Sequence, residues 1–441
     1  MEIKFKFIIA FFIGKVKVGR LLIIHLYTTI IFSLSRDSVM RKKIIFIIGF
    51  TVLIIVAAAA IWFLAGSRDI GIALIASPTP QGEPWPERLK NPPQTVKALY
   101  ATIWTAATEK QMDYLIKLAT STEVNAVVID VKDYTGHVSF ETQSSLIKAI
   151  GSEEVQLKDL NKLINKLHKE NIYAIARITV FQDPILASKR PDLAIKSKKT
   201  GVNWKDNKGL SWVDPASPEV WNYILTVAKE TERYGFDELN FDYVRFPSDG
   251  DMKDLAFPFY DGQRPKHEVL RDFFQYLSGN LRPSGIKISV DLFGLATVNH
   301  DDLGIGQVLE DAAPYFDFIC PMVYPSHYAS GFLGYSNPAA YPYEVIKYSL
   351  ESAKKRLEIL TATPTPLANA TTTSSVLPTP KYEKVAGLRP WLQDFDLGAT
   401  YDARMVRLEK QAITDLGLSS GWLLWDPKNV YTPAALDPEQ K

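Results

Sequence analysis

The sequence contains almost no cysteine and no excess of either charge. Cys320 is the single cysteine among 441 residues, so the chain cannot form an intramolecular disulfide or a zinc site built on cysteines. Its 50 Lys and Arg residues balance 49 Asp and Glu residues, so a net charge of +1 provides no basic field for nucleic acid. The composition therefore excludes disulfide-rich folds, and we predict no nucleic-acid partner.

Short motifs based on serine, histidine or glycine are also missing. No G-x-S-x-G elbow follows a predicted strand, and no H-x-H or H-E-x-x-H spacing occurs. We predict no cofactor and no bound metal. A metal-dependent hydrolase that acts on another kind of bond is one alternative function. It would require His137, His300 and His327 to approach Asp130 or Asp242 closely.

The longest apolar run covers residues 44–65, which are 22 positions without a charge. A helix of this length crosses a hydrocarbon layer of about 30 Å. Arg41, Lys42 and Lys43 precede the run, and the positive-inside rule places that end in the cytoplasm. The pattern predicts one transmembrane helix at the cell membrane, with the rest of the chain extracytoplasmic. A cleaved signal peptide is the alternative, although its apolar run is usually shorter.

The flanking segments divide the chain further. Met40 directly precedes the basic flank, so residues 1–39 are interpreted as a mis-called start or a cytoplasmic segment. Residues 66–95 contain six prolines and are predicted to form an extended linker. Residues 361–380, with seven Thr and four Pro, predict a low-complexity insertion within a domain that spans residues 96–430.

Within that domain, apolar runs of strand length alternate with amphipathic stretches of helical period, which is typical of repeated β–α units. Eight strands and seven intervening helices over about 340 residues predict an α/β fold, a (β/α)8 TIM barrel. An open doubly wound sheet would alternate in the same way, but no glycine-rich phosphate loop follows the first strand. The predicted strands are Ala98–Thr105, Asn125–Val131, Ile172–Ile178, Glu238–Val244, Ile286–Phe293, Phe318–Tyr324, Gly387–Trp391 and Gly421–Trp425. The predicted helices lie near residues 109–120, 157–170, 218–234, 265–282, 305–313, 341–360 and 401–416.

Reactive groups of barrel enzymes lie at the C-terminal ends of the strands, and carboxylates dominate these positions here. The aromatic residues beside them suit stacking on sugar rings. The catalytic candidates are Asp130, Asp242 and Asp291. The substrate-binding candidates are Arg177, Asn240, Arg245, Tyr324, Trp391, Trp425 and Asp426, and Asp394 lies just past the seventh strand.

The segment GFDELNFDYVRFPSDG at residues 235–250 is the most informative. Side chains alternate along a strand, which places Glu238, Asn240 and Asp242 on one side. Burying three polar side chains is costly unless they are paired or functional. An ion pair between Asp242 and Arg245 that fixes the loop is the structural alternative to a catalytic Asp242.

Five segments together resemble a bacterial glycoside hydrolase domain of the TIM-barrel class, once catalogued as a domain of unknown function. The resemblance covers roughly residues 96–430. The fourth strand is more distantly similar to that of the family 18 chitinases, but Val244 stands where their catalytic Glu would be, so their mechanism is not implied. The segments are NAVVIDVKDYTG at 125–136, FDELNFDYVRFP at 236–247, DLFG at 291–294, PMVYPSHY at 321–328 and GWLLWDP at 421–427.

The resemblance implies hydrolysis of glycosidic bonds, which generally needs two carboxyl groups, about 5 Å apart for retention or about 6.5–9.5 Å apart for inversion. We predict that Asp242 is the nucleophile or base and Asp291 the acid, with Asp130 as the second candidate partner. Arg177 and Arg245 are expected to orient Asp242 and keep it ionised.

Tyr324 and Trp425 are expected to line a sugar subsite. The predicted substrate is a cell-envelope or extracellular polysaccharide or oligosaccharide. The alternative function is a non-catalytic glycan-binding surface barrel, which would gain support if no second carboxyl group lay near Asp242.

Overall fold

The computed structural model describes residues 85–362 and 382–439. The predicted membrane span at 44–65, residues 1–39, most of the linker and nearly all of the low-complexity stretch lie outside these residues. None of the helices in the described part of the chain is long and apolar enough to cross a bilayer. Residues 85–95 contain no helix or strand, and Leu89 donates its backbone N–H to Asp237.

Eight parallel strands form a closed barrel in the described residues, which confirms the predicted (β/α)8 architecture. Each strand pairs with the next one along the chain, and the first strand pairs with the last. The strands are β1 Val96–Ala101, β2 Ala126–Lys132, β3 Tyr173–Thr179, β4 Glu238–Asp242, β5 Lys287–Phe293, β6 Phe318–Met322, β7 in two pieces, Gly387–Leu388 and Trp391–Gln393, and β8 Gly421–Trp425.

The seventh strand is interrupted because Pro390 has no N–H to donate to a ladder. Its first piece pairs with β6, and its second piece pairs with β8 and, through Trp391 and Met322, with β6. A two-residue antiparallel pair, Lys196–Ser197 with Leu255–Ala256, lies apart from the barrel sheet.

Three of the predicted strands continued past the observed strand ends, and the seventh strand continues to Gln393, two residues past its predicted end. The predicted first strand continued to residue 105, but Thr102 caps a short helix there by accepting a hydrogen bond from the Thr105 N–H. The predicted fourth strand continued to Val244, but β4 ends at Asp242 because Tyr243 has a positive φ of 52°. The sixth strand ends at Met322, two residues before the predicted end.

Helices occur at all seven predicted places. Ser217 caps the helix Pro218–Glu232 and Pro218 opens it, as the sequence indicates. The sequence did not reveal three short helices of four to six residues, Ile103–Ala106, Ser145–Ile150 and Pro184–Lys189. The helices are α1 Ile103–Ala106, α2 Glu109–Ser121, α3 Ser145–Ile150, α4 Leu160–Lys169, α5 Pro184–Lys189, α6 Pro218–Glu232, α7 Lys266–Leu281, α8 Leu309–Ala312, α9 Pro342–Thr361 and α10 Ala403–Asp415.

Side chains fill the interior of the barrel. Ala98, Val128, Ile175 and Leu423 belong to an apolar cluster separate from the larger core. At the N-terminal end of the strands, Glu238 forms a fully buried ion pair with Arg389, with an Nη1 to Oε2 distance of 2.8 Å. Glu238 is therefore at the opposite end of β4 from Asp242.

Barrel closure leads to a prediction about two glycines. Gly421 begins β8 with φ of 89°, and a Cβ atom there would overlap the Val96 carbonyl of β1, whereas Gly417 has φ of 64° and no atoms within 4 Å of its Cβ position. We expect Gly421→Ala to lower the free energy of unfolding by about 3 kcal/mol or more, and Gly417→Ala by about 1 kcal/mol. Urea denaturation followed by circular dichroism measures both. Equal losses would contradict a tight β1–β8 contact.

Candidate active site

A cavity of about 520 Å³ opens among the C-terminal ends of six barrel strands and the segments that follow them. This is the end at which barrel enzymes carry their reactive groups. Its lining combines three carboxyl groups, two arginines, one lysine and several aromatic rings. The members that come from the predicted candidates are Arg177, Asp242, Arg245, Asp291, Tyr324, Trp391 and Trp425.

The Arg177 guanidinium joins three carboxylates from three other strands. It lies 2.7 Å from Asp130, forms a close ion pair with Asp242, and lies 3.6 Å from Asp291. Burial opposes the charge of Arg177, but the nearby Asp130 and Asp242 carboxylates raise its pKa well above the ordinary value. Because one guanidinium touches both Asp242 and Asp291, their carboxyl groups lie within the separation of about 10 Å or less found in glycosidase pairs.

Asp242 ends β4 at a strained turn. Tyr243, which follows it, has φ of 52°, a region that bulky side chains rarely occupy. The Tyr243 N–H donates to one oxygen of Asp242, and the other oxygen pairs with Arg177. Such strain is often found at functional positions, and here it ends β4 directly after the carboxylate.

Asp291 is almost completely buried, with 1% of its surface exposed. One of its oxygens accepts hydrogen bonds of 2.8 Å from the Asn240 amide and from the Trp391 indole N–H. The other oxygen makes no hydrogen bond to the described residues. Burial and then the charge of Asp242 raise the pKa of Asp291 well above its usual range, against the opposing effects of Arg177, Asn240 and Trp391. Asp291 therefore keeps its proton to a higher pH than an exposed aspartate.

Three of the predicted candidates do not line the cavity. Asp130 accepts a 2.5 Å hydrogen bond from the Tyr100 hydroxyl and pairs with Arg177, and burial raises its pKa. The Asn240 amide donates a hydrogen bond to Asp291, as described above. Asp426 accepts backbone N–H groups of Lys428 and Val430, so it stabilises the turn after β8. A direct substrate contact by any of the three stays a prediction.

Arg245 lines the cavity but forms no ion pair with Asp242 in the described residues. Its guanidinium lies over three aromatic rings, 4.7 Å from the centre of Trp212, 5.3 Å from Tyr243 and 4.8 Å from Phe293. Of the two arginines expected to orient Asp242, Arg177 pairs with it and Arg245 does not. Arg177 lies on β3 beside Asp242, whereas Arg245 lies after the turn at Tyr243.

Aromatic side chains form one wall of the cavity. Tyr324 and Trp425 both line it, and their ring centres are 5.4 Å apart. Phe395 packs edge-on against Trp425 at 4.9 Å. Asp394 beside it does not line the cavity, because its carboxylate accepts hydrogen bonds from Thr432. Burial raises the pKa of Asp394 to about 6.

The sequence analysis did not identify several residues of the site: Tyr100, Tyr243, Phe293 and Phe395. Tyr243 and Phe293 lie within one residue of a predicted strand end and Phe395 lies four residues past one, and their aromatic character was the available signal. Tyr100 gave no such signal, because it lies within an apolar run of strand length.

The histidines do not form the cluster that a metal-dependent hydrolase would need. His137 pairs with Glu154 at 3.1 Å, and His327 lines the cavity with a pKa lowered by burial. Across residues 85–362 and 382–439, no three His, Cys, Asp or Glu side chains are grouped as metal ligands would be.

Two solved structures are among those similar to this chain. One is a hypothetical protein from Ruminiclostridium thermocellum ATCC 27405, which has 36% identity, covers 47% of this chain and 98% of that one, and gives a TM-score of 0.41. The other is the PgaB (BpsB) glycoside hydrolase domain from Bordetella bronchiseptica, with 14% identity, coverage of 78% and 100%, and a TM-score of 0.53. The second likeness concerns the fold alone. No curated protein matches the sequence.

The sequence also matches a family with the description "Putative glycosyl hydrolase domain", over residues 98–431. This range is more than half of the chain and nearly the same as the range over which the motifs resemble such a domain. The resemblance is therefore confirmed, and the chain belongs to this glycosyl hydrolase family.

Proposed function

We propose that this glycosidase cleaves a cell-envelope or extracellular polysaccharide with Asp242 and Asp291 as its pair of carboxyl groups. The observation that carries the proposal is their unequal environment within one cavity. Both groups are buried, but Asp242 forms a close ion pair with Arg177, whereas Asp291 has a raised pKa and one oxygen that makes no hydrogen bond in the described residues. Pairs of titratable groups with different environments commonly divide the roles of acid and base.

In the proposed reaction, Asp291 donates its proton to the glycosidic oxygen as the bond to the anomeric carbon breaks. Asp242 either bonds to that carbon as the leaving group departs or takes a proton from the water that attacks it. In the first case, the ionised Asp291 then takes a proton from a water molecule, which attacks the carbon and breaks its bond to Asp242. In the second case, Asp242 releases its proton to solvent and Asp291 regains one. Arg177 stabilises the negative charge that Asp291 acquires when its proton leaves, because it lies within 3.6 Å of that group. Tyr324 and Trp425 provide the wall on which a sugar ring can stack.

A glycan-binding barrel without catalysis is the competing function. Burying two carboxyl groups costs free energy. Glycan binding alone gives no reason to bury Asp291, with its raised pKa, beside the ion-paired Asp242. The arrangement of Asp242 and Asp291 therefore favours hydrolysis over binding.

Asp242→Asn should reduce turnover by about 1,000-fold or more, because it removes the nucleophile or base while leaving the shape of the side chain. The measurement is release of reducing ends from a panel of envelope and extracellular polysaccharides. Asp301→Asn is the control, since Asp301 is exposed in the segment after β5 and does not line the cavity. Full turnover by Asp242→Asn, or a polymer that binds the wild type but is never cleaved, would contradict the proposal.

Asp291→Asn should impair the polysaccharide far more than an aryl glycoside of the same sugar, because a good leaving group departs without a proton. In the wild type, kcat/KM should fall as pH rises through the pKa of Asp291, since the acid must hold its proton. That pKa is raised, so the fall occurs at higher pH than for an exposed aspartate. The alkaline limb should be absent for Asp291→Asn with the aryl glycoside. Equal losses on both substrates would assign the proton to another group.

From the sequence alone, we also propose that residues 44–65 anchor the protein in the cell membrane with the barrel outside the cytoplasm. The full chain should sediment with membranes and require detergent for release. Protease added to spheroplasts should digest the barrel. Recovery of the full chain in the soluble fraction, or protection from the protease, would contradict the anchor or its orientation.

A further inference from the structure

Arg245 is a buried cation without a carboxylate partner. It is 6% exposed, and it lines the same cavity as Asp242 and Asp291. Within the described residues, its guanidinium makes one hydrogen bond, from Nη1 to the Phe246 backbone oxygen at 3.1 Å, and it forms no ion pair. A buried charge without a counter-charge is destabilising in typical proteins, so the position of Arg245 calls for an explanation.

The three aromatic rings around Arg245 compensate for part of this cost. Cation–π contacts favour the charged form, and the ring centres of Trp212, Tyr243 and Phe293 all lie within 5.3 Å of the guanidinium carbon. Burial nevertheless lowers the pKa of Arg245, which means that its surroundings do not fully compensate for its charge. The rings also restrict the orientation of the guanidinium plane.

The other charged groups of the cavity offset the burial of Arg245 only in part. The charges of Asp242 and Asp249 raise its pKa, but the effect of burial is larger. Asp242 and Asp291 belong to the network around Arg177, and the Asp249 carboxylate accepts the Asn207 backbone N–H at 3.0 Å and makes no ion pair with Arg245. Lys208 adds a third positive charge to the lining, beside Arg177 and Arg245.

We propose that Arg245 binds a carboxylate of the substrate, so that the polysaccharide contains acidic sugars such as uronic acid residues. Its Nη1 already bonds to Phe246, which leaves Nε and Nη2 as an adjacent pair of donors. Such a planar pair matches the two oxygens of a carboxylate. The inference rests on the proposed function for the cleavage step, because the same cavity holds Asp242 and Asp291.

The test measures binding without turnover, using the full chain with Asp242→Asn. The probes are polygalacturonate and hyaluronan, each compared with a form whose carboxyl groups have been reduced to hydroxymethyl groups, and dextran sulfate as a polymer with a different anion. Isothermal titration calorimetry should give an affinity at least 10-fold higher for a carboxylated polymer than for its reduced form. Equal affinities, no binding of either acidic polymer, or a preference for dextran sulfate would overturn the inference.

Two substitutions test whether Arg245 is the group responsible. Arg245→Gln should remove most of the difference between carboxylated and reduced polymers, and Arg245→Lys, which keeps the charge but loses the paired donors, should remove at least half of it in logarithmic terms. Lys205→Gln is the control for general attraction, because Lys205 is exposed and does not line the cavity. An equal loss from Lys205→Gln would contradict a specific role for Arg245. Melting temperatures identify variants that fail to fold, in which case Arg245→Lys decides.

The inference and the proposed function can fail separately. If acidic polymers bind through Arg245 but the wild type cleaves none of them, hydrolysis by this pair fails and carboxylate recognition stands. If the wild type and Arg245→Gln cleave a neutral polymer equally well, the glycosidase stands and carboxylate recognition is overturned.

Discussion

The guanidinium of Arg177 is the interaction on which the arrangement of the site depends. It extends from β3 and contacts Asp130 from β2, Asp242 from β4 and Asp291 from β5. Three carboxylates so close together would repel one another if no cation lay between them, and removing one partner of a buried ion pair typically costs about 3–5 kcal/mol. Arg177 thus joins four neighbouring strands and fixes the positions of the two carboxyl groups that face the cavity.

The same network gives those two groups different properties. Asp242 is placed at a strained turn and bonds directly to Arg177, whereas Asp291 is held by Asn240 and Trp391 in a buried position where its pKa is raised. Burial and a neighbouring like charge both favour the protonated form of a carboxyl group. The aromatic wall beside them adds a surface for a sugar ring, so the proposed chemistry and the proposed substrate class depend on one cavity.

Two other buried cations of the barrel have carboxylate partners and do not line the cavity. Arg389 pairs with Glu238 at the N-terminal end of the strands, and Lys132 pairs with Asp183 at the start of α5. Arg245 differs from these two cations, because it is also buried, with 6% of its surface exposed, but forms no ion pair among the described residues. That contrast is the reason for assigning its partner to the substrate.

Local patterns were enough to predict eight strands, seven main helices and the positions of Asp242 and Asp291 near the C-terminal ends of their strands, because alternation, helical period and caps are local properties of the chain. Which charged groups contact one another depends instead on the closed barrel. Arg177 and Asp291 are more than a hundred residues apart and come together only when the barrel closes. Arg245, three residues after Asp242, is turned away from it by the positive φ of Tyr243 and held by aromatic rings from two other segments. These side-chain contacts depend on the register of the barrel strands and on packing between distant segments, which no local pattern in the sequence encodes.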